Sequence, residues 1–521
     1  MVSQLSSRGR AIASEALESD CTPASFLQVG ALNKAIATLN LRTAENWLVR
    51  EEVTLLYREL VKEHLDPSDL SYGSGFGGDP ELLEATAALI NTYFNPAQTI
   101  GPDDVVITTG ASLCLDALMF TLCDEGDEVL ITAPYWTGFD QHLVLRTGVK
   151  LLPIHAASAD IGLTRSEDLL KGSLVPALTA AYESSSNQSR VRALVVTNPH
   201  NPYGRFYPES VIREAMKWCA ERDIHYVSDE VYALSQLTAP GEHLGHGAAH
   251  GREHHGHQEV PFISALAVKF VGNDGAKVPE ISVVWGTSKD LGSSGFRVGV
   301  YVHRQPPGTG SSRAPHKTAV SGVSTSGRPP TNPLDRSPLT TTLSNLTTSH
   351  LPTLTTSLLT KGLFTSRALP HLFQLNRTRL HEHYMLLRSY LQKWRVPYVE
   401  VQGAPFVLTR LACAAARVRR AEARGVGLSA ERGAEPLGCT WEDEEYLVQT
   451  LLRDRAGVLV APGRQYHMEK ETESHLSGGG SASRGAPDNK RAGWVRITFA
   501  VPLPVLKDGI SRIAAVLGLE G

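Results

Sequence analysis

The string SKDLGSSGFRVG, residues 288–299, sets Lys289 between an apolar run and a glycine-rich turn, with Arg297 eight residues on. A lysine amine forms an imine with an aldehyde when it is neutral at the moment of attack. A partly desolvated place near other cations lowers its pKa and favours that form. Arg297 offers a fixed fork of donors that suits a phosphate. A lysine and an arginine at this spacing also fit a solvated surface pair, the commonest setting for both residue types.

Other segments carry compatible chemistry. In VVTNPHNPYG (195–204) a strand-like run ends in two Asn-Pro steps. Each proline restricts the residue before it, so the asparagine side chains are held in defined directions. In VSDEVY (227–232) a carboxylate falls at a strand's C-terminal end, where α/β sheets place ligand contacts. TTGASLCLDAL (108–118) turns through Gly110 into a helix beginning near Ala111 and Ser112. Exposed N–H groups at such a start bind phosphate, although the same residues make an ordinary cap. APYWTGFD (133–140) presents Trp136, an aromatic that fits either a stacking role or the core. WVRITFA (494–500) carries Arg496, a residue type suited to a bidentate grip on a carboxylate.

Taken together, SKDxGxxGFRVG, NPxNPxG and the SDEVY segment resemble the motifs of the fold-type I, class I/II aminotransferases, which depend on pyridoxal 5′-phosphate. The likeness is nearest to the 1-aminocyclopropane-1-carboxylate synthase-like branch, through PYWTGFD and the Ala44-Glu45-Asn46 triplet. The resemblance implies that Lys289 is the Schiff-base lysine and that Arg297, Ala111 and Ser112 hold the cofactor phosphate. It implies that Asn201 and Tyr232 hydrogen-bond the cofactor's phenolic oxygen, and that Trp136 stacks on its ring. Asp229 would keep the pyridine nitrogen protonated, so that the ring withdraws electrons from the substrate α-carbon. Arg496 would grip the substrate α-carboxylate, and Glu45 would lie beside the substrate, unless it is a capping or solvated glutamate. The family often has a serine three residues before the lysine; here Gly286 stands there, so that contact is missing or comes from Thr287 or Ser288. Tyr72 is the nearest candidate for the tyrosine that crosses from a partner subunit, which implies a homodimer with the site at its boundary.

The elements that must position these residues follow from pattern. From Val105 onward, short runs rich in Val and Ile alternate with helix-like stretches, bounded by Gly, Pro and Asn. Such runs fit strands buried on both faces of a mainly parallel α/β sheet. The expected organisation is an arm and part of a small unit over 1–65, a large cofactor-binding α/β domain over 66–340, and a smaller α+β C-terminal domain over 341–521. The stretch SLLTKGLFTSRALPHLFQLNRTRLHEHYMLLRSYLQKW is expected as one long helix. Residues 241–258, 305–337 and 476–490 are polar, Gly-, Ser- or His-rich, and are read as surface insertions. Six histidines between 243 and 257 offer imidazoles but no frame of fixed geometry, so no metal site is expected.

With 521 residues the chain is too long for one simple domain, and its net charge of -4 gives no reason to expect nucleic acid. No apolar run is long enough for a membrane span, and none near the N-terminus suits a secretory signal. The six cysteines show no CxxC pair and are read as reduced thiols, with the cytoplasm as the expected address. The expected activity is transfer of an amino group from an amino acid to a keto acid. Loss of a β- or γ-sulfur substituent, as in a lyase or an aminocyclopropane-forming synthase, uses the same residues and stays open. A non-catalytic cofactor-binding relative is a third reading, against which the intact Lys289, Asp229 and Arg496 argue.

Overall fold

The computed structural model describes residues 38–155, 168–238, 261–270, 277–305, 336–347, 351–428, 439–468 and 491–519, with short pieces at 6, 9–10, 253–254 and 257–258. The N-terminal arm and most of the three expected insertions and the histidine cluster lie outside the described residues.

A seven-stranded sheet forms the larger body. Its strands are β1 (Val105–Thr108), β2 (Glu128–Thr132), β3 (Lys150–Ile154), β4 (Val191–Thr197), β5 (His225–Asp229), β6 (Ile281–Gly286) and β7 (Gly299–Arg304). Their order is β1-β7-β6-β5-β4-β2-β3. Only β7 runs antiparallel to its neighbours β1 and β6; the other pairs are parallel. The period-2 pattern sorts side chains to two faces. In β4, Leu194 and Val196 join one apolar cluster while Ala193 and Val195 join another; in β6, Val283 and Trp285 part from Val284 in the same way. Both faces are therefore covered, as the unbroken Val/Ile runs require.

Helices meet this sheet through local signals. In α1 (Pro80–Tyr93) the Asp79 side chain accepts from the Glu81 and Leu82 amides, and Pro80 opens the first turn, where its missing N–H costs nothing. The second helix α2 (Ala111–Leu122) starts at Gly110, whose φ of 97° suits glycine.

The expected single long helix is broken into α3 (Thr353–Thr360), a short turn at Leu363–Thr365, and α4 (Leu369–Lys393). Two residues explain the break. Gly362 leaves the helical region at φ -134° and ψ -86°, in a place with no room for a Cβ beside Leu60, and Pro370 is placed in the first turn of α4, where it can start a helix but not continue one. The strand-like VPYVEVQGAPFVLTRL reduces to β8 (Phe406–Thr409).

A second cluster gathers Leu380, Leu387 and Leu391 of α4 with Val407, Val495, Ile497 and Leu506. Around it β8, β9 (Ala461–Pro462) and β10 (Val495–Thr498) make a three-stranded antiparallel sheet. Leu41 and Leu48 belong to this same cluster, and Leu39–Asn40 pairs in parallel with Val458–Leu459. The N-terminal segment thus packs with the C-terminal part of the chain. No helix among the described residues is long and apolar enough to cross a membrane.

Candidate active site

The C-terminal ends of β5 and β6 open on a cavity whose walls also include residues 42–44, the start of α2 and the far strands β9 and β10. Strand β6 ends at Gly286, and the next four residues, Thr287–Asp290, form one helical turn. Lys289 leaves this turn into the cavity, and its Nζ donates to the Ala44 carbonyl at 2.7 Å. Burial pushes the Lys289 amine down to about 8, with Arg496 adding to the effect and Glu45 and Asp229 opposing it. About a tenth is then the neutral nucleophile at pH 7, against well under a thousandth for an ordinary lysine.

Asp229 ends β5 on the cavity wall. Burial raises its carboxyl to about 7, against the pull of the Val231 amide, of Lys289 and of Thr197. A carboxyl desolvated this far gains its charge when a cation is set beside it. Arg496 projects from β10. Its Nη1 donates to Asn201 Oδ1 at 2.9 Å, and its Nη2 donates to the Arg42 carbonyl at 2.8 Å. The rings of Phe406 and Tyr466 lie 4.5 and 5.2 Å from its guanidinium carbon, a setting that stabilises a desolvated cation. Arg496 Nε is buried with no partner among the described residues, which leaves one donor for an incoming acceptor.

The opposite wall has the character of an anion cradle. Ala111 and Ser112 line it at the start of α2, and Ser288 and Arg297 complete it. A Cβ on Gly110 would overlap the Arg297 guanidinium, and one on Gly299 would lie 2.6 Å from the Ala111 nitrogen. Bare backbone at both positions is what lets β7, the α2 start and Arg297 converge. Gly286 has a parallel explanation: a Cβ there would lie 2.5 Å from the Val298 carbonyl oxygen, so a serine would have to shift the backbone. Trp136 forms a side wall, its ring 5.5 Å from that of His142, whose pKa burial lowers. Tyr232 is buried and meets Phe406 edge-on at 5.4 Å.

The structure therefore brings together Ala111, Ser112, Trp136, Asn201, Asp229, Tyr232, Ser288, Lys289, Arg297 and Arg496 around one cavity. It does not bring Glu45 or Tyr72 into its lining. Glu45 accepts from Ser294 Oγ at 2.7 Å and pairs with Arg50 at 3.2 Å. Burial alone would raise its pKa, but Ser294 and Arg50 draw it below the ordinary value. Glu45 thus stands just outside the lining, held by Ser294 and Arg50. Tyr72 is fully exposed at 101%.

The neighbour of Glu45 was the more informative residue. Asn46 Nδ2 donates to the Lys289 carbonyl at 2.9 Å and to Asn376 Oδ1 at 2.7 Å, tying the lysine turn to α4. Tyr466 and Gln465 also line the cavity; they come from a 3-10 turn, where no periodic pattern marks a residue. These donors fit pyridoxal phosphate: a helix start, two serines and Arg297 for its phosphate, a desolvated carboxyl for its ring nitrogen, and a low-pKa lysine for its aldehyde.

Comparison with known proteins agrees with this geometry. The profile described as Aminotransferase class I and II matches residues 44–513. The chain is 32% identical to the probable aminotransferase aclI of Aspergillus oryzae, over 93% of this chain and 92% of that protein. It is 33% identical to 1-aminocyclopropane-1-carboxylate synthase 1 of Oryza sativa subsp. indica, over 53% of this chain and 51% of that one. Among solved structures, the aspartate aminotransferase of Thermus thermophilus with maleate superposes with a TM-score of 0.59 at 17% identity, covering 98% and 97% of the two chains. The aromatic aminotransferase of Pyrococcus horikoshii gives 0.60 at 16% identity, covering 95% and 98%. These two show the shared α/β fold. The match over residues 44–513 makes the chain a member of the class I and II aminotransferase family, whose enzymes depend on pyridoxal 5′-phosphate.

Proposed function

We propose that the enzyme transfers the amino group of an amino acid to a keto acid, with Lys289 as the group that both anchors the cofactor and moves the proton. The observation that carries this reading is the buried Lys289 amine, lowered to about 8, in one cavity with Asp229 and Arg496. When bound, pyridoxal phosphate supplies a ring that accepts the electron pair left on the substrate α-carbon. Arg496 binds the substrate carboxylate through the Nε left without a partner and through donors that exchange away from Asn201. Trp136, on the side wall of the cavity, would stack on the ring and hold it in place. Asp229 holds a proton at the ring nitrogen, and Asn201 and Tyr232 donate to the phenolic oxygen. Ser112, Ser288 and Arg297 hold the phosphate. Lys289 would hold the aldehyde and, with its amine free, would be the base that takes the α-proton and returns it.

A second reading has a specific support. The 33% identity to an aminocyclopropane-carboxylate synthase, together with the Ala44-Glu45-Asn46 and PYWTGFD segments, favours elimination of a sulfur substituent by the same residues. Incubation with a panel of amino acids, thioethers included, with and without a keto-acid acceptor separates the two. Amino acid consumption that depends on the acceptor is the expected result. Thiol or thioether release without acceptor would replace transamination by the lyase reading.

A homodimer belongs to the same proposal. Leu65, Leu70, Tyr72 and Phe76 expose 51, 88, 101 and 66% of their surface within one short run. Exposed apolar side chains clustered this way mark an interaction surface. Sedimentation should give twice the 56.4 kDa chain mass. Tyr72→Ala should weaken substrate binding about tenfold if its ring reaches the partner's cavity, since a lost interfacial aromatic costs on the order of 1.4 kcal/mol or more. A monomer, or unaltered substrate binding in Tyr72→Ala, would remove this part.

A further inference from the structure

The described cysteines divide into two kinds. Cys114, Cys123 and Cys219 are buried in the apolar clusters that cover the large sheet. Burial pushes their thiols up, that of Cys123 to about 12. Thiols in such surroundings stay protonated and inert. Cys413 and Cys439 stand apart from these. Cys413 lies in the first turn of the helix Ala412–Arg424. Cys439 precedes Thr440, which caps the helix Trp441–Glu445. Their sulfur atoms are in contact at 2.8 Å although 26 positions separate them in the chain.

The surroundings keep the two sulfurs together. A Cβ on Gly493 would overlap Cys439 Sγ, so glycine at that place, with a φ of 89°, makes the room the sulfur occupies. The Ala492 carbonyl lies 3.6 Å from the same sulfur, and the Ala412 amide donates to the Gly493 carbonyl at 3.2 Å. The two cysteines differ in access. Cys439 is wholly buried, while Cys413 is partly exposed.

We propose that Cys413 and Cys439 are the site of a reversible intrachain disulfide, formed by exchange with a low-molecular-weight disulfide. Cys413, the less buried of the two, loses its proton and attacks one sulfur of the small disulfide. That S–S bond breaks, a mixed disulfide forms on Cys413, and one small thiolate leaves and takes up a proton. Cys439 then loses its proton and attacks the Cys413 sulfur from the buried side, expelling the second small thiol. The two protein thiols are oxidised by two electrons, and the small disulfide is reduced to two thiols. The new bond ties the starts of two helices together beside the Ala492–Gly493 stretch that leads into β10. No cavity residue takes part, so the proposal stands independently of which reaction the enzyme catalyses.

The test equilibrates the holoenzyme with glutathione and glutathione disulfide at rising disulfide fraction, traps thiols with iodoacetamide and maps peptides without reductant. The expected result is joint loss of Cys413 and Cys439 from the alkylated pool, a cross-linked peptide joining them, and full reversal by dithiothreitol. Cys439→Ser should leave glutathione on Cys413, because the resolving thiol is gone. Cys413→Ser should leave Cys439 fully alkylatable once the protein is unfolded. Retention of both thiols across the whole series, or glutathione stranded on Cys413 of the unsubstituted enzyme, overturns the proposal.

Discussion

Lys289→Ala is expected to abolish covalent capture of pyridoxal phosphate and to lower turnover by roughly 10⁴-fold, the upper end of what a positioned proton-transfer group contributes. The measurement is the visible-range absorbance that develops on adding cofactor, followed by borohydride reduction and peptide mapping. Label on residue 289 of the unsubstituted enzyme, and its disappearance in the variant, is the expected pair of results. Label on another lysine would remove Lys289 from its proposed place. The pH dependence of capture gives a finer check. Attack on an aldehyde needs the neutral amine, and the Lys289 amine sits at about 8. Capture should therefore be near its maximum above about pH 8 and should slow about tenfold for each pH unit below it, following the neutral fraction. An exposed lysine at its ordinary value would keep slowing from a limit more than two units higher.

Asp229→Asn is the second large effect. An amide cannot carry the negative charge that stabilises a protonated ring nitrogen. Removing one partner of a buried charge pair costs about 3–5 kcal/mol, which corresponds to roughly 10²- to 10⁴-fold in kcat. Cofactor attachment should survive, because Lys289 is untouched, so the loss should appear in turnover and not in labelling. The variant also isolates a physical point. Burial holds this carboxyl at about 7 even against the pull of the Val231 amide, Lys289 and Thr197. A neighbouring cation is what makes its ionised form the stable one, so the charge and the ring nitrogen's proton are mutually dependent. Turnover within a few-fold of the unsubstituted enzyme would show that Asp229 does not face the ring nitrogen.

Much of the site was legible because its residues sit where a strand ends and a turn begins. Asp229 and Lys289 both follow runs of buried Val, Ile or Tyr, and the short spacing from strand to residue fixes where each side chain emerges. The same logic located Ala111 and Ser112 after Gly110. What local pattern could not reveal were contacts across great sequence distance. The Ala44 carbonyl meets Lys289 Nζ at a separation of 245 residues, and Asn46 meets the same turn at 243. The resemblance points to Glu45, a charged residue, while the neutral Asn46 beside it makes the structural connection. The long helix was misread for a related reason. Hydrophobic spacing continues across Gly362 and Pro370, but one site lacks room for a side chain and the other lacks an amide proton.

The hydrogen bond from Arg496 to the Arg42 carbonyl closes the cavity with residues 454 positions apart. On the ribosome, the strand that bears Arg496 emerges long after residue 42 has left the exit tunnel. Until then the Arg42 carbonyl and the Asn201 side chain lack the guanidinium that joins them. A polypeptide interrupted before β10 would carry Lys289 and Asp229 yet lack Arg496, so the pocket matures only after that strand has been made.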